Sequence, residues 1–240
     1  MPLNPRDRGF AYGDGVFETV RVAASGEQPL WPRPRARLVG GLRALGITLP
    51  DESRLDAALN EGVAALGGEA GVVKLTVTRG VGGRGYLPPV PAQPTVVWQS
   101  GCLPVWSERH RREGLVLGLC DTPLYPDPLA GFKHLNRLPQ VMARREVARQ
   151  GWDEGVLLST RRQPLEATSM NLFARFANHW WMPDLDAAGT GVAGVMRAHL
   201  HETLLLQCGE KVVCDLRPLS QLRTADGLFL CNSVVGVLPV

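Results

Sequence analysis

The hydrophobic pattern of this chain switches repeatedly between the spacing of strands and that of helices, and this feature constrains the fold most. Residues 15–25 and 71–79 alternate apolar and polar side chains, as half-buried strands do. Between them, residues 34–45 and 51–66 carry Leu or Val three to four positions apart, which predicts amphipathic helices. With 240 residues, the chain can build one large or two small domains of mixed α/β structure.

A proline-rich stretch between residues 101 and 132 interrupts this pattern and predicts the junction of two domains. We expect an N-terminal α/β domain over 1–104, an interdomain linker region over 105–130 and a C-terminal α/β domain over 131–240. The remaining predicted elements are a helix that starts near Arg137 and runs to residue 150, a helix at 195–207, and strands at 95–99, 155–159, 171–176, 211–216 and 228–231.

Composition and charge exclude several classes of protein. The 26 basic and 23 acidic residues nearly balance, and no aromatic residues interleave with the basic clusters, so we expect no nucleic-acid partner. We expect no membrane span, because every apolar run is shorter than about 18 residues. Residues 1–10 lack the apolar core of a signal peptide. The five cysteines form no CxxC pair and the five histidines show no ligand spacing, which predicts a cytoplasmic protein with reduced thiols and no metal site.

A glycine-rich loop follows the second predicted strand. Residues 80–85, GVGGRG, match the G-x-G-x-x-G pattern of dinucleotide-binding turns, but Pro88 and Pro89 stand where that fold opens a helix. A dinucleotide site is therefore not expected. Arg79 and Arg84 flank backbone that can approach a ligand closely, and arginine suits bidentate binding of carboxylates. The loop predicts an acidic substrate.

Lysine is scarce, and any amine nucleophile must be one of Lys74, Lys133 and Lys211. Lys74 lies in an alternating strand and Lys211 begins another after a glycine turn, so both are interpreted as ordinary strand side chains. Lys133 instead follows the proline-rich stretch and precedes a predicted helix. A lysine between two domains can be desolvated, which lowers its pKa and makes the free amine a nucleophile and a base.

Five motifs are spread over nearly the whole chain. They are DRGFAYGDGVFETV at 7–20, KHLNRL at 133–138, EATSMNLF at 166–173, GVAGVMR at 191–197 and CNSVVGVLPV at 231–240. In order and spacing they resemble the fold-type IV pyridoxal-phosphate enzymes, the class IV aminotransferase family. That family contains branched-chain aminotransferases, D-amino-acid aminotransferases and aminodeoxychorismate lyases. TRGVGGRGY at 78–86, the CNS variant of the last motif and the short chain are most similar to the lyases.

The resemblance implies a two-domain fold with pyridoxal 5'-phosphate in the cleft between the domains. It also implies a homodimer whose partner subunit helps to close the site. Lys133 matches the catalytic lysine that holds the cofactor as a Schiff base. Arg37 matches the arginine that pairs with the cofactor phosphate, and Glu166 matches the carboxylate that faces the pyridine nitrogen.

Further contacts are carried over from the same motifs. Gly194, Val195 and Met196 open a helix whose backbone amides suit the cofactor phosphate, and Asn232 and Ser233 match additional residues on the phosphate side. The predicted substrate-binding residues are Arg79, Arg84, Tyr86, Thr19 and Arg21. The similarity to the lyases implies a small dicarboxylate substrate.

This chain departs from the family pattern at three places. Pro34 stands three residues before Arg37, where the family usually has His, so the support of that arginine differs. Most of the usual first strand before residue 7 is missing. The sequence ends at Val240 where relatives continue, so we expect either a naturally short C-terminus or missing residues.

The resemblance implies a lyase that converts 4-amino-4-deoxychorismate to 4-aminobenzoate and pyruvate in folate biosynthesis. Two alternatives stay open. One is a branched-chain or D-amino-acid aminotransferase that uses the same lysine, and the other is a noncatalytic protein that retains the fold and the cofactor. The joint presence of Lys133, Arg37 and Glu166 argues against the noncatalytic protein.

Overall fold

The computed structural model describes residues 3–49 and 51–240, which form two compact units. The first unit contains the chain up to Leu103 together with Phe132–Asn136, and the second contains Pro104–Gly131 and Arg137–Val240. Helices and sheets occur in both units, which confirms the predicted α/β class with mixed sheets. Residues 105–130, the predicted linker region, lie in the second unit. The predicted division into domains at 1–104 and 131–240 stays a prediction.

The first unit is an antiparallel sheet with helices on one face. Within the described residues its elements are α1 (Arg8–Tyr12), β1 (Gly15–Val22), α2 (Pro32–Ala44), α3 (Ser53–Ala64), β2 (Gly71–Thr78) and β3 (Thr95–Cys102), and the strand order is β1-β2-β3. Leu38 of α2, Leu55 of α3 and Leu75 of β2 are fully buried in the core between helices and sheet. Burial of each such side chain contributes about 1.5–3 kcal/mol.

Strand alternation gives this sheet an apolar face and a polar face. Val73 and Leu75 of β2 are buried in the core under the helices, so Lys74 between them is directed to the opposite face. Thr19 of β1 is the register partner of Lys74 and shares its face, and so does Phe17, two residues earlier. The side away from the helices, here called the polar face, therefore carries Thr19, Lys74 and the ring of Phe17.

A separate stretch of chain, Phe132–Asn136, pairs with the edge of β1 that β2 leaves open. His134 forms an antiparallel bridge with Val16. A Cβ atom at Gly41 of α2 would lie only 2.9 Å from a side-chain carbon of Val16 and 3.6 Å from the ring of Phe132. Glycine at this position allows α2 to approach β1 and the added segment closely, and this packing holds the segment against the first unit.

The second unit is built on a mixed sheet. Within the described residues its elements are α4 (Glu108–Glu113), β4 (Leu117–Leu119), α5 (Leu138–Gln150), β5 (Glu154–Leu158), β6 (Pro164–Ala167), β7 (Asn171–Phe176), β8 (His179–Pro183), α6 (Leu185–Ala188), α7 (Val195–Glu202), a π-helix (Thr203–Gln207), β9 (Val212–Asp215), α8 (Leu219–Leu222), β10 (Gly227–Asn232) and β11 (Gly236–Pro239). The main path is β11-β10-β7-β6-β5-β4, and β8 joins β7 to β9. Trp181, Leu172 and Leu230 are fully buried in its core.

The sequence pattern misses four strands of this sheet, the three-residue β4 among them, and extends one helix too far. β6 is four residues long and begins with a proline, whereas β8 contains two adjacent tryptophans that mask its alternation. β11 is also only four residues long. The helix predicted at 195–207 is α-helical only to Glu202 and continues as a π-helix. Short strands lack the repeats on which a periodicity argument depends.

The described part of the chain contains neither a bilayer-spanning helix nor a metal-ligand cluster. No helix in residues 3–49 and 51–240 is long and apolar enough to cross a lipid bilayer. In the same residues, no three His, Cys, Asp or Glu side chains are grouped so that they could hold a metal ion.

Because the first sheet depends on its apolar face, Leu75→Ala should lower the free energy of unfolding by about 2–5 kcal/mol, the cost of a cavity in a packed core. Val97→Ala is the matched control, since Val97 lies on the polar face and is 37% exposed. We expect that control to change stability by less than about 1 kcal/mol. Urea unfolding followed by tryptophan fluorescence measures both. Equal destabilisation by the two variants would contradict the assignment of the faces.

Candidate active site

Lys133 is held by the edge of the first sheet. The Phe17 amide donates a hydrogen bond to the Lys133 carbonyl at 2.9 Å, and the Leu135 amide donates to the Gly15 carbonyl at 3.0 Å. His134, the next residue, is buried, whereas Lys133 is half-buried and its ammonium lies 4.9 Å from the centroid of the Phe17 ring. The backbone pairing therefore places the predicted catalytic lysine on the polar face of the sheet.

Arg37, the predicted phosphate ligand, is paired with Glu18 within the first unit. Its Nε donates to Glu18 Oε1 at 2.6 Å and its Nη2 donates to Oε2 at 2.8 Å. Glu18 is 1% exposed, so this is a bidentate ion pair in the interior. The family motifs do not single out Glu18, although an acid at an inward-facing position of an alternating strand already indicates a buried partner. The phosphate contact of Arg37 stays a prediction.

Arg79 is engaged by groups of its own unit. Its Nε and Nη2 donate to the two carboxylate oxygens of Asp14 at 2.7 and 3.1 Å. The same guanidinium donates to the carbonyls of Leu45 and Gly46 at 2.6 and 3.0 Å. Arg79 is buried, and these contacts fix it between α1, α2 and β2. These contacts give Arg79 a structural role, and its predicted contact with the substrate stays a prediction.

Asp14 joins Arg79 to a second buried arginine, Arg8, whose Nε donates to Asp14 at 2.8 Å. Burial of Asp14 opposes its ionisation and raises its pKa, but hydrogen bonds from Arg79 and Arg8 outweigh this effect, and the pKa lies below its usual value. The carboxylate is therefore charged at neutral pH and links the two arginines.

Arg8 also anchors the glycine-rich loop. Its guanidinium donates to the carbonyls of Gly85 at 3.1 Å and Tyr86 at 2.7 Å. A Cβ atom at Gly82 would lie 2.7 Å from Cδ of Arg8, so glycine is needed where the loop crosses this side chain. The motif around residue 8 and the loop around residue 85, which are far apart in sequence, thus form one hydrogen-bonded structure. No local sequence pattern predicts this contact.

The other predicted substrate residues of the first unit are accessible to solvent. Arg84 and Tyr86 lie exposed on the anchored loop, and the Tyr86 ring lies 5.4 Å from that of Tyr12. Thr19 is half-buried on the polar face of the sheet, and Arg21, two residues further along β1, is exposed. Their substrate contacts stay predictions.

Glu166 is the central acid of the second unit. It lies in β6, is 4% exposed, and accepts a hydrogen bond from the Val192 amide at 2.8 Å. The side-chain amide of Gln140 on α5 donates to its other oxygen at 3.4 Å. Gly191 has φ +91°, and a Cβ atom there would lie 3.2 Å from the carboxylate. The glycine therefore lets the backbone approach Glu166 and fix its orientation, which the sequence pattern alone does not indicate.

The start of α7 holds three predicted phosphate contacts. Gly194 is the N-cap residue, and Val195 and Met196 follow in the first turn, where backbone amides have no partner within the helix. A Cβ atom at Gly194 would lie 1.7 Å from the side-chain oxygen of Asn171, and the side-chain nitrogen of Asn171 donates to the Val192 carbonyl at 3.0 Å. Asn171 and the glycine thus determine where the helix begins.

Asn232 organises the turn between β10 and β11. Its side-chain oxygen accepts hydrogen bonds from the Val234 and Val235 amides, both at 2.9 Å, and its side-chain nitrogen donates to the Ser169 carbonyl at 3.2 Å. Ser233 is half-buried in the same turn. These contacts give Asn232 a clear structural role, and the direct phosphate contact of either residue stays a prediction.

Comparison with known proteins identifies the family. The model of the class IV amino-transferases matches residues 15–240. An aminodeoxychorismate lyase of Vibrio harveyi is 36% identical over 242 residues, covering 100% of this chain and 86% of its own. An aminodeoxychorismate lyase of Bacillus subtilis (strain 168) is 29% identical over 244 residues, covering 99% of this chain and 80% of its own. The crystal structure of 4-amino-4-deoxychorismate lyase from Pseudomonas aeruginosa is 44% identical, with a TM-score of 0.92 over 100% of this chain and 87% of that one. The chain belongs to the class IV aminotransferase family.

Two local arrangements fit pyridoxal phosphate, the cofactor expected for this family. The buried carboxylate of Glu166, which an amide and a side chain hold in place, suits a protonated ring nitrogen. The free amides at the start of α7 suit a phosphate. Gly191 and Gly194 leave space at both positions that a side chain would fill.

Asp14 generates a prediction about pH. Its lowered pKa means that its contribution to stability is present above its ordinary value of 3.8 and is lost as the pH falls through the lower folded value. Asp14→Asn should therefore lower the thermal midpoint at neutral pH, and this deficit should shrink in strong acid. The same variant should make the 80–87 loop more susceptible to limited proteolysis, because Arg8 loses its partner. Glu69→Gln, which changes an exposed acid of the same unit, is the control. A deficit that is independent of pH would contradict the prediction.

Proposed function

We propose that this chain is a pyridoxal-phosphate-dependent lyase that converts 4-amino-4-deoxychorismate to 4-aminobenzoate and pyruvate. The observation that carries the proposal is Lys133, a lysine that backbone hydrogen bonds hold on the polar face of a sheet, in a chain similar over its whole length to aminodeoxychorismate lyases. Detection of 4-aminobenzoate after incubation with chorismate, glutamine and the partner synthase tests it. Absence of this product with cofactor-loaded protein would refute it.

Bound pyridoxal phosphate supplies an electron-accepting ring. Lys133 would hold the cofactor through its side-chain amine. With substrate bound, the same amine would take the proton from the ring carbon that bears the substrate nitrogen. It later delivers a proton to the methylene carbon of the departing enolpyruvyl group, which becomes pyruvate as the remaining ring becomes aromatic. One amine thus serves as covalent anchor, base and acid.

The other proposed residues hold charges in place. Glu166 keeps the ring nitrogen protonated, and the Val192 amide and Gln140 hold its carboxylate in position. Phosphate binding falls to Arg37, to the amides of Gly194, Val195 and Met196, and to Asn232 and Ser233. Arg37 would reach the phosphate while Glu18 holds its guanidinium, which supplies support in a chain that has Pro34 in place of His.

The substrate carries two carboxylates, so it requires cations. Arg84 supports this role because it lies exposed on a loop whose backbone is held by Arg8. Tyr86 on the same loop, and Thr19 and Arg21 on β1, are the further proposed contacts. The hydrogen bonds of Arg79 to Asp14 and to the Leu45 carbonyl support a role in holding α1, α2 and β2 together.

Three finer proposals accompany the activity. The reaction belongs to folate biosynthesis, and we propose that it takes place in the cytoplasm. A homodimer is supported by large apolar side chains that the first unit exposes at Phe10, Leu87 and Val90, with exposures of 72%, 87% and 94%. Sedimentation analysis tests the dimer, and a fully active monomer would contradict it.

The nearest rival is an aminotransferase of the same family. In that reaction the same lysine would move the proton to the cofactor instead of to a departing group. The similarity to lyases supports elimination over this alternative. A noncatalytic cofactor-binding protein would have no need for the Lys133 amine beyond anchoring.

Lys133→Ala should abolish the visible absorption band of the covalently bound cofactor and lower turnover by several orders of magnitude, because it removes anchor and proton carrier together. Lys211→Ala, the control, should retain both the band and the activity. Borohydride reduction followed by peptide mapping should place the label on Lys133. A label on Lys74 or Lys211 would contradict the assignment.

Arg84→Ala should retain the cofactor band and lose 4-aminobenzoate formation, since an arginine that pairs with a desolvated carboxylate contributes roughly 2–5 kcal/mol. The exposed Arg54 provides the control variant, Arg54→Ala. Steady-state kinetics on the lyase reaction and on transamination of apolar amino acids measures the effect. Unchanged lyase kinetics in Arg84→Ala would remove the loop from substrate selection.

A further inference from the structure

Glu154 is a buried acid of the second unit that the proposed reaction does not use. It is the first residue of β5 and is 1% exposed. Acids are almost never buried to this extent unless polar groups surround them, because it is costly to remove a carboxylate from water. The groups that compensate this cost therefore indicate what the residue does.

The turn that joins β6 to β7, residues 167–170, lies beside Glu154. The antiparallel pairing of β5 with β6 places Val156 opposite Ala167. Since successive residues of paired strands stay in register, Glu154, two places before Val156, lies alongside the tip of the turn. The Thr168 amide is the first group of the turn to reach it, and it donates to one carboxylate oxygen at 3.3 Å.

Both carboxylate oxygens of Glu154 accept hydrogen bonds from side chains of this turn. Oε1 accepts from the Thr168 hydroxyl, and Oε2 accepts from the Ser169 hydroxyl at 3.1 Å. On the solvent side, Nη1 of the exposed Arg144 lies 3.7 Å from Oε1. One carboxylate thus fixes the two central residues of the turn.

The turn in its own place holds Asn232, one of the proposed phosphate contacts. Ser169 donates to Glu154 through its hydroxyl and accepts from the Asn232 side-chain nitrogen, at 3.2 Å, through its carbonyl. The other end of the Asn232 amide accepts from the Val234 and Val235 amides. A continuous chain of hydrogen bonds therefore runs from the buried acid to the turn between β10 and β11, and such chains restrain all of their members together.

The proposed contact with the ring nitrogen depends less on this turn. Glu166 directly precedes the turn, but the Val192 amide and the Gln140 side chain hold its carboxylate independently. Asn232 instead has the Ser169 carbonyl as its contact outside its own turn. Disturbing Glu154 should therefore affect the phosphate side of the cofactor site more than the ring side.

We infer that Glu154 is a positioning residue for cofactor phosphate binding, and that it acts through Ser169 on Asn232. This inference rests on the part of the proposed function that assigns phosphate binding to Asn232 and Ser233. Glu154 touches neither cofactor nor substrate in this role. It supplies the acceptors that keep the 167–170 turn, and with it the Ser169 carbonyl, in one position.

Four variants of the full chain test the role. Glu154→Leu keeps an apolar stem and removes both acceptors, whereas Glu154→Gln keeps one acceptor oxygen for Thr168. Ser169→Ala removes only the hydroxyl of an exposed residue and keeps the carbonyl that Asn232 binds, so it preserves the fold. Glu108→Leu, at an exposed acid of the same unit, is the matched control.

Two probes separate the phosphate side from the ring side. Pyridoxal 5'-phosphate and pyridoxal share the ring and the aldehyde, but only the first carries a phosphate. Absorption titration of the cofactor-free chain measures the affinity of each probe, and phosphorus NMR reports the surroundings of the bound phosphate. Hydrogen exchange at the Val234 and Val235 amides, measured without cofactor, reports directly whether Asn232 still holds its turn.

We expect Glu154→Leu to weaken pyridoxal 5'-phosphate binding at least about tenfold and pyridoxal binding less than about twofold, because the unpaired groups lie on the phosphate side. It should also shift the phosphorus resonance and speed exchange at Val234 and Val235. Ser169→Ala should show the same changes in weaker form. Glu154→Gln should recover most of the affinity, and Glu108→Leu should match the wild type.

Equal losses for the two probes in Glu154→Leu would overturn the inference, because they would indicate a general loss of stability. Equal losses in the Leu and Gln variants would overturn it as well, since the acceptor oxygen would then not matter. Unchanged exchange at Val234 and Val235 in both Glu154→Leu and Ser169→Ala would show that the acid does not act through Asn232, which also overturns it.

These outcomes separate the inference from the proposed function. A wild-type chain that forms 4-aminobenzoate, together with a Glu154→Leu variant of unchanged cofactor affinity, overturns the inference alone. A wild-type chain that binds pyridoxal 5'-phosphate without forming 4-aminobenzoate overturns the proposed lyase activity alone, and the selective loss of phosphate binding in Glu154→Leu would then still support the positioning role.

Discussion

The pairing of Phe132–Asn136 with the edge of β1 is the constraint on which the proposed chemistry depends. Two backbone hydrogen bonds and the close approach of α2 at Gly41 hold this segment. Because the segment follows the alternation of a strand, His134 is buried and Lys133 is directed to the polar face. The backbone of Lys133 is thereby held in place, although its side chain is flexible. The face of the sheet that carries Lys133 also carries Phe17 and Lys74.

The charged side chains of the first unit discussed above form two groups, which are the members of buried ion pairs and the residues accessible to solvent. Asp14 holds Arg8 and Arg79, and Glu18 holds Arg37, in pairs that are largely removed from solvent. Removing one member of such a pair leaves an uncompensated buried charge, so these pairs stabilise the unit only when complete. Arg8, which Asp14 holds in place, donates hydrogen bonds to backbone carbonyls of the glycine-rich loop and so stabilises the loop backbone. The exposed Arg84 is therefore presented by a loop with a defined backbone.

In the second unit, glycines determine the geometry around the acid and the helix start. Gly191 allows the backbone to reach the Glu166 carboxylate, and Gly194 leaves room for Asn171 at the start of α7. Asn232 orders the neighbouring turn with both ends of its side-chain amide. Larger side chains at either glycine would displace the groups that are suited to bind a ring nitrogen and a phosphate.

The sequence by itself determines the class of each long element and the candidate lysine. Alternation predicts β7 to its bounds and β2 to within one residue, because the repeat of a strand is a local property. Local pattern cannot identify the partner of a charged side chain. Arg79 meets Asp14 across 65 residues and Arg8 meets Tyr86 across 78, so only tertiary packing gives these arginines their partners. Tertiary packing also brings Lys74 and Lys133 to the same Phe17 ring. Such contacts depend on how strands and loops distant in sequence come together, and no single segment encodes that.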